Sequence, residues 1–275
     1  MSESDKEGQL DFNDDEVERY SRHILLSEVG PRGQARLRAS KVLVVGAGGL
    51  GSPALLYLAS AGVGQITIID DDKVDLSNLQ RQVVHANKDI GVAKADSAKA
   101  TLESINPQIK VDAINARLNA SNIADVIKGH DVVLDGSDNF STRYLINDAC
   151  YLARIPLISG AVLRFEGTLS TFTYNENTAC YRCVFPEAPP PGAVPTCQEA
   201  GVLGAVVGVV GALQAVEAVK LITRSGDLLE NQMLRYDALK AGFSSFNISH
   251  DKDCALCGES PTIKEIREEG GACTL

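Results

Sequence analysis

Along the first half of the chain, apolar residues fall into short compact blocks, separated by stretches in which they return every third or fourth position. Lys41–Val45 is one such block, ending at glycines; residues 65–70 are another, and 52–61 between them carries helical spacing. Strand, glycine turn, helix and strand make a βαβ unit. The alternation continues with a helical stretch at 93–105, a strand-like run at 111–116, a helix at 122–128 and a strand at 131–135. This order predicts an α/β fold, a Rossmann-like, mainly parallel sheet with helices on both faces. After a helix over 142–153 the pattern changes. Strand-like runs at 156–161, 168–174, 233–236 and 243–248 lack regular helices between them, which predicts an antiparallel C-terminal region.

The flanks and joints read differently. Residues 1–12 form a polar tail, after which Asn13 and Glu16 have capping-box spacing, with Phe12 and Val17 at staple positions, so a helix carrying Arg19 and Arg22 is expected to start there. Residues 185–198 contain Pro186, Pro189, Pro190, Pro191 and Pro195 and form a loop or crossover. The most apolar segment, 202–213, is shorter than the ~20 residues a bilayer span needs. Its Gly204, Gly208 and Gly211 suit a helix approached closely by another backbone, in a core or a subunit contact. We expect one domain over 13–258, with a nucleotide-binding part at 13–155 and a second part at 156–258, followed by a tail at 259–275.

Composition narrows the functions available. With 275 residues, 44% hydrophobic and 23% charged, the chain can bury a sizeable core. A formal charge of -10 opposes the broad phosphate neutralisation that DNA or RNA binding requires. The N-terminus is acidic and polar, without the basic and apolar regions of a targeting signal, so a cytoplasmic protein with no membrane association is expected.

Gly46-Ala47-Gly48-Gly49-Leu50-Gly51 fits G-x-G-x-x-G directly after a strand, so its amides can approach phosphate oxygens at a helix N-terminus. Asp70 ends the next strand, where a carboxylate can accept ribose hydroxyls. Taken alone, this unit points to NAD. The adjoining stretch, residues 70–82, contains the run D-x-V-x-x-S-N-L-x-R-Q, formed by Asp72, Val74, Ser77, Asn78, Leu79, Arg81 and Gln82. It resembles the signature of the MoeB/ThiF/HesA family and of ubiquitin-activating enzymes, and the likeness extends from Arg19-Tyr20-Ser21-Arg22 to Cys257.

The resemblance implies ATP-dependent adenylylation of the C-terminal Gly-Gly carboxylate of a small ubiquitin-like sulfur carrier, with release of pyrophosphate. The product would be ready for sulfur transfer or thioester formation in a molybdenum-cofactor, thiamine or tRNA-thiolation type of pathway. A terminal carboxylate, with a pKa near about 3.5, is already ionised at neutral pH, so this chemistry needs no general base. It needs positive charge and magnesium where two anions meet. The family's motifs assign Gly46, Gly48, Gly49, Gly51, Asp70, Ser77, Asn78, Arg81, Lys94, Asp138 and Asn139 to ATP. They place Arg22 in the site of the other subunit of a homodimer, and Asp138 on magnesium. By residue type alone, Arg22, Arg81 and Lys94 equally fit solvated surface charges, and Asp138 or Asn139 fits a helix cap.

Seven cysteines divide into three groups. Cys180 and Cys183, with Cys254 and Cys257, are two C-x-x-C pairs, which together suit a closed, structural zinc site; redox chemistry or disulfides are the alternatives. Cys197 lies in the proline-rich loop, and the cysteine matching it in the family can take the activated carrier as a thioester or enter acyl-disulfide or persulfide chemistry. A dispensable or packed cysteine is the other reading. Cys150 is expected in the core, and Cys273 lies in the tail. The stretch beyond Cys257 is too short for the rhodanese domain some members carry, so a separate sulfur donor, a rhodanese or a cysteine desulfurase, is expected. Two other functions stay compatible with parts of the sequence: an NAD-dependent oxidoreductase and a nucleotide-binding scaffold without turnover.

Overall fold

The structure, a computed structural model, describes residues 8–190 and 200–267. Asn13 caps the first helix, α1 (Asp14–Ile24), and the reciprocal bonds between Asn13 and Glu16 complete the capping box. α1 packs on α2 (Gly30–Ala39), which the apolar spacing does not predict. Only Ala35 and Leu37 give α2 a buried apolar face, and Gln34 beside them is satisfied by donating to Ala61 O.

The predicted alternation continues as β1 (Lys41–Val45), α3 (Gly51–Ala61), β2 (Gln65–Ile69), α4 (Lys94–Ile105), β3 (Lys110–Ile114), α5 (Ile123–Ile127), β4 (Val132–Asp135) and α6 (Phe140–Ala153). Next come β5 (Leu157–Leu163), β6 (Glu166–Phe172), the short α7 (Tyr181–Val184), α8 (Gly204–Thr223), β7 (Gln232–Asp237) and β8 (Gly242–Asn247). Among the described residues, the eight strands join one sheet in the order β3-β2-β1-β4-β5-β6-β7-β8. β1 to β5 run parallel, and from β5 onward each neighbour is antiparallel. The reversal comes from the short turn through Arg164 and Phe165, since a connection this short can join only antiparallel strands; Arg164 takes a φ of 55° to close it.

One apolar core lies between the sheet and α3, α4 and α8, and the other between the opposite face and α5 and α6. The helix built on the apolar segment 202–213 runs on past it to Thr223, and polar residues beyond that segment find partners in the packed structure. Gln214 donates to Asp135 O and Ile158 O, while Glu217 accepts from Thr171 Oγ1 and the Leu229 amide. By length and composition α8 could cross a membrane; here it lies along the sheet. The close approach expected of its glycines holds at two of the three. A Cβ at Gly204 or Gly211 would lie 2.3 Å from Gln80 O or Leu50 O, whereas Gly208 has nothing within 4 Å.

Candidate active site

The sheet order reverses between β1 and β4, and the glycine turn sits at their carboxyl ends, where an open α/β sheet leaves a crevice. Gly46 has a φ of +90° and Gly51 packs so closely that a Cβ there would lie 1.9 Å from Gly46 O. These two glycines make the turn. Gly48 has a different reason to be small, since a Cβ on it would meet nothing nearer than Gln82 Nε2 at 3.8 Å. Above it is open space. α3 starts without a side-chain cap, and among the described residues no acceptor takes the amides of Gly48, Gly49 or Leu50. Such a helix N-terminus favours an anion.

Asp70 holds this turn in place, with Oδ2 accepting from the Ala47 amide at 2.8 Å and Oδ1 from the Asp72 amide at 2.9 Å. Burial raises its carboxyl above the ordinary value, opposed by these amides and by nearby Lys94. Each oxygen keeps a lone pair for a hydroxyl donor. Lys94 is a buried cation of the site: its side chain is 7% exposed and Nζ lies 2.7 Å from Asp72 Oδ2. Arg81 donates from Nη1 to Ser77 O at 3.0 Å and runs alongside Gly49.

These groups line a cleft of about 760 Å³ that also takes in Asp138, Asn139 and Arg117. Ser77 and Asn78 do not line it. Asp75 and Asn78 instead cap the single turn Leu76–Asn78, which carries Arg81 to the glycine turn. Asn139 reaches the cleft but its Oδ1 caps α6 through the Thr142 amide, the helix-cap role that its residue type also fits. Asp138 beside it is exposed and makes no hydrogen bond or ion pair among the described residues, so its carboxylate is available to a cation.

Away from the nucleotide end, the cleft continues over β5 and β6. On one face of these strands Gly160, Gly167 and Thr171 meet α8; on the other, Ser159, Ala161, Thr168 and Ser170 form a floor of small side chains, and Tyr181 and Phe185 close one wall. An extended chain with little side-chain bulk fits such a floor. Arg22 is not part of this cleft. α1 lies at the amino ends of β2 and β3, where Arg19 donates to Ile105 O and Tyr20 accepts from Asn106 and packs on Gly62. The cleft opens at the other ends of those strands, about 16 Å away for five residues.

The four cysteines of the two C-x-x-C pairs come together, with Sγ–Sγ distances of 3.9 Å for Cys180–Cys183, 3.7 Å for Cys180–Cys254, 3.3 Å for Cys183–Cys257 and 3.4 Å for Cys180–Cys257. Disulfide sulfurs are about 2 Å apart, and four sulfurs held tetrahedrally at about 2.3 Å from one ion are about 3.8 Å apart. The cluster can hold a metal ion. Around it, the Asp251 amide donates to Cys183 Sγ, and the buried Arg182 donates two hydrogen bonds, from Nε and Nη2, to the carboxylate of Asp148 on α6. Cys150 is fully buried and burial pushes its thiol far up, as a core residue requires. Cys197 and Cys273 lie outside the described residues.

Sequence reasoning overlooked Arg143, Arg117, Tyr181 and Phe185, all of which line the cleft. For Arg143 a signal existed: a cation placed one turn after Asn139 and directly before the apolar residues Tyr144, Leu145 and Ile146.

Known proteins bear on this site. The ThiF family profile matches residues 20–256. A SAMP-activating enzyme E1 of Haloferax volcanii is 50% identical over 91% of this chain and 92% of its own length. A sulfur carrier protein adenylyltransferase of Thermus thermophilus is 44% identical over 95% of this chain and 98% of its own. In crystal structures, MccB of E. coli with MccA-N7isoASN superposes with a TM-score of 0.78 at 25% identity, covering 88% of this chain and 75% of that one. With a matching profile over most of its length and relatives this similar end to end, the chain belongs to the ThiF family.

Proposed function

We propose that this protein uses ATP to adenylylate the C-terminal Gly-Gly carboxylate of a small ubiquitin-like sulfur carrier. The observation that carries the reading is the single cleft whose one end offers anion-binding amides, Lys94 and Arg81, and whose other end has a floor of small side chains. A carboxylate oxygen arriving along β5 and β6 attacks the α-phosphorus, the bond from that phosphorus to the β-phosphate's bridging oxygen breaks, and pyrophosphate leaves. No proton has to be removed. Lys94, Arg81 and the amides of the glycine turn hold the phosphates and offset the charge of the approaching anion. Asp70 is placed for the ribose, and the exposed carboxylate of Asp138 would hold magnesium, which neutralises phosphate charge when bound. Ser77 and Asn78 serve by shaping the turn that presents Arg81.

Arg22, remote from the cleft of its own chain, enters the cleft of a second copy, so the active species is a homodimer. The four-cysteine cluster holds one structural zinc. Adenylylation needs no thiol, and Cys197 belongs to a later step in which the activated carrier is passed on, with sulfur from a separate donor.

The test is pyrophosphate exchange into ATP with a panel of ubiquitin-like carriers ending in Gly-Gly. At least one carrier is expected to support exchange, Cys197→Ala to retain it and Asp138→Ala to lose it while remaining folded. No exchange with any carrier, or near-normal exchange by Asp138→Ala, would overturn the reading or the magnesium role respectively.

A further inference from the structure

Arg143 sits in the first turn of α6 and lines the cleft near Asp138, yet its side chain is only 9% exposed. Nη1 donates to Gly160 O on β5 at 2.8 Å, and Nη2 donates to Ser137 O at 2.7 Å. Nη1 also lies 3.6 Å from Asp135 Oδ2. Asp135 ends β4 and is 1% exposed; its Oδ1 accepts from the amide and the hydroxyl of Ser137 at 2.9 and 2.6 Å, and Oδ2 accepts from Ser159 Oγ at 3.0 Å. Ser137 is therefore gripped from both sides, its amide and hydroxyl by Asp135 and its carbonyl by Arg143. Asn139, on the far side of Asp138, is fixed as the cap of α6. Of these three consecutive residues, Asp138 alone has a side chain with no hydrogen-bond or ion-pair partner among the described residues.

Desolvating an arginine and an aspartate is costly, and an apolar pair of similar volume often stabilises a fold equally well. What an apolar pair cannot do is tie two separate carbonyls to one rigid planar group. We propose that Arg143 is a positioning residue for adenylyl transfer. Its guanidinium fixes the turn that presents Asp138 against Gly160 of β5, and so sets the distance between the phosphate end of the cleft and the strand along which the carboxylate enters. This inference rests on the adenylyltransferase reading above.

Arg143→Lys tests it, because lysine keeps the charge while its single nitrogen cannot span both carbonyls in the same planar geometry. With a carrier that supports exchange in the unmodified protein, kcat is expected to fall about 100-fold, the scale of a misplacement near 1 Å, with far smaller changes in KM for ATP and carrier. Calorimetry with the non-hydrolysable analogue AMPCPP is expected to show that binding persists but that magnesium enhances it less than in the unmodified protein. Ser159→Ala, which loosens Asp135 from the other side and is less disruptive to folding, is expected to shift kcat and the magnesium response in the same direction by a smaller factor. An Arg143→Lys protein with normal kcat and a normal magnesium response would overturn the positioning role, as would a loss confined to KM. Absence of exchange in the unmodified protein with every carrier would instead overturn the parent reading.

Discussion

Within the cysteine cluster the protons are distributed unevenly. Hydrogen bonds to Cys183, Cys254 and Cys257 push the Cys180 thiol up, while the bond with Cys180 draws Cys183 down to about 6. Four thiolates this close repel one another, so full ionisation requires a cation among them, and binding the cation expels the remaining protons. Protein purified without chelator is expected to contain one zinc per chain by metal analysis. Cys254→Ser, which replaces a buried soft ligand, should lose that zinc and lower the melting temperature; a chain that is folded and zinc-free without any chelator would overturn the assignment. The loss should be felt beyond the cluster, since Arg182 of the first knuckle is bonded to Asp148 of α6, the helix that also carries Arg143.

Among the elements, α8 shows how a contact made far away in sequence decides which residue is tolerated. Gly211→Ala would drive a methyl group to 2.3 Å from Leu50 O, the backbone that opens α3 at the glycine turn, so either helix must shift. Overpacking of this kind costs about 1–3 kcal/mol and is expected to weaken ATP binding as well. Gly208→Ala, three residues earlier with nothing within 4 Å, should instead stabilise the helix by up to about 1 kcal/mol. Equal melting temperatures for the two variants would contradict the packing argument. The same contrast explains what could be read from sequence. The βαβ order, the capping box at Asn13 and the glycine turn depend on neighbours within a few positions, and each is found within a few residues of its expected place. α2 is illegible in the sequence because its burial depends on α1 and α8, and the reach of α8 beyond the apolar segment 202–213 is not legible there because Gln214 and Glu217 have partners on β4, β5 and β6. At the site, Asp70 and Lys94 follow from a local motif. The bond from Arg143 to Gly160 spans two elements, and the meeting of Cys180 with Cys254 bridges a long stretch of chain, although two C-x-x-C pairs make the latter predictable.

For the whole molecule, the position of Arg22 poses the sharpest question. Carried on α1, which the contacts of Arg19 and Tyr20 hold at the ends of the strands opposite the crevice, it could act at the phosphates of its own chain only if α1 left those contacts. A second copy removes the difficulty, since a twofold pair can place α1 of each chain at the cleft of the other. The two arrangements differ in a way that activity alone can distinguish. Arg22→Ala and Asp138→Ala are each expected to be inactive in carrier-dependent exchange. When the two chains are co-expressed in equal amounts and pair at random, half of the dimers contain one of each. In such a dimer the Arg22→Ala chain keeps its own Asp138 and receives Arg22 from its partner, while the other site lacks both residues. One site in two is then whole in half of the dimers, which predicts about a quarter of the activity of the unmodified protein. If Arg22 acted within its own chain, no site in any mixed dimer would hold both residues, and the mixture would stay as inactive as its parents.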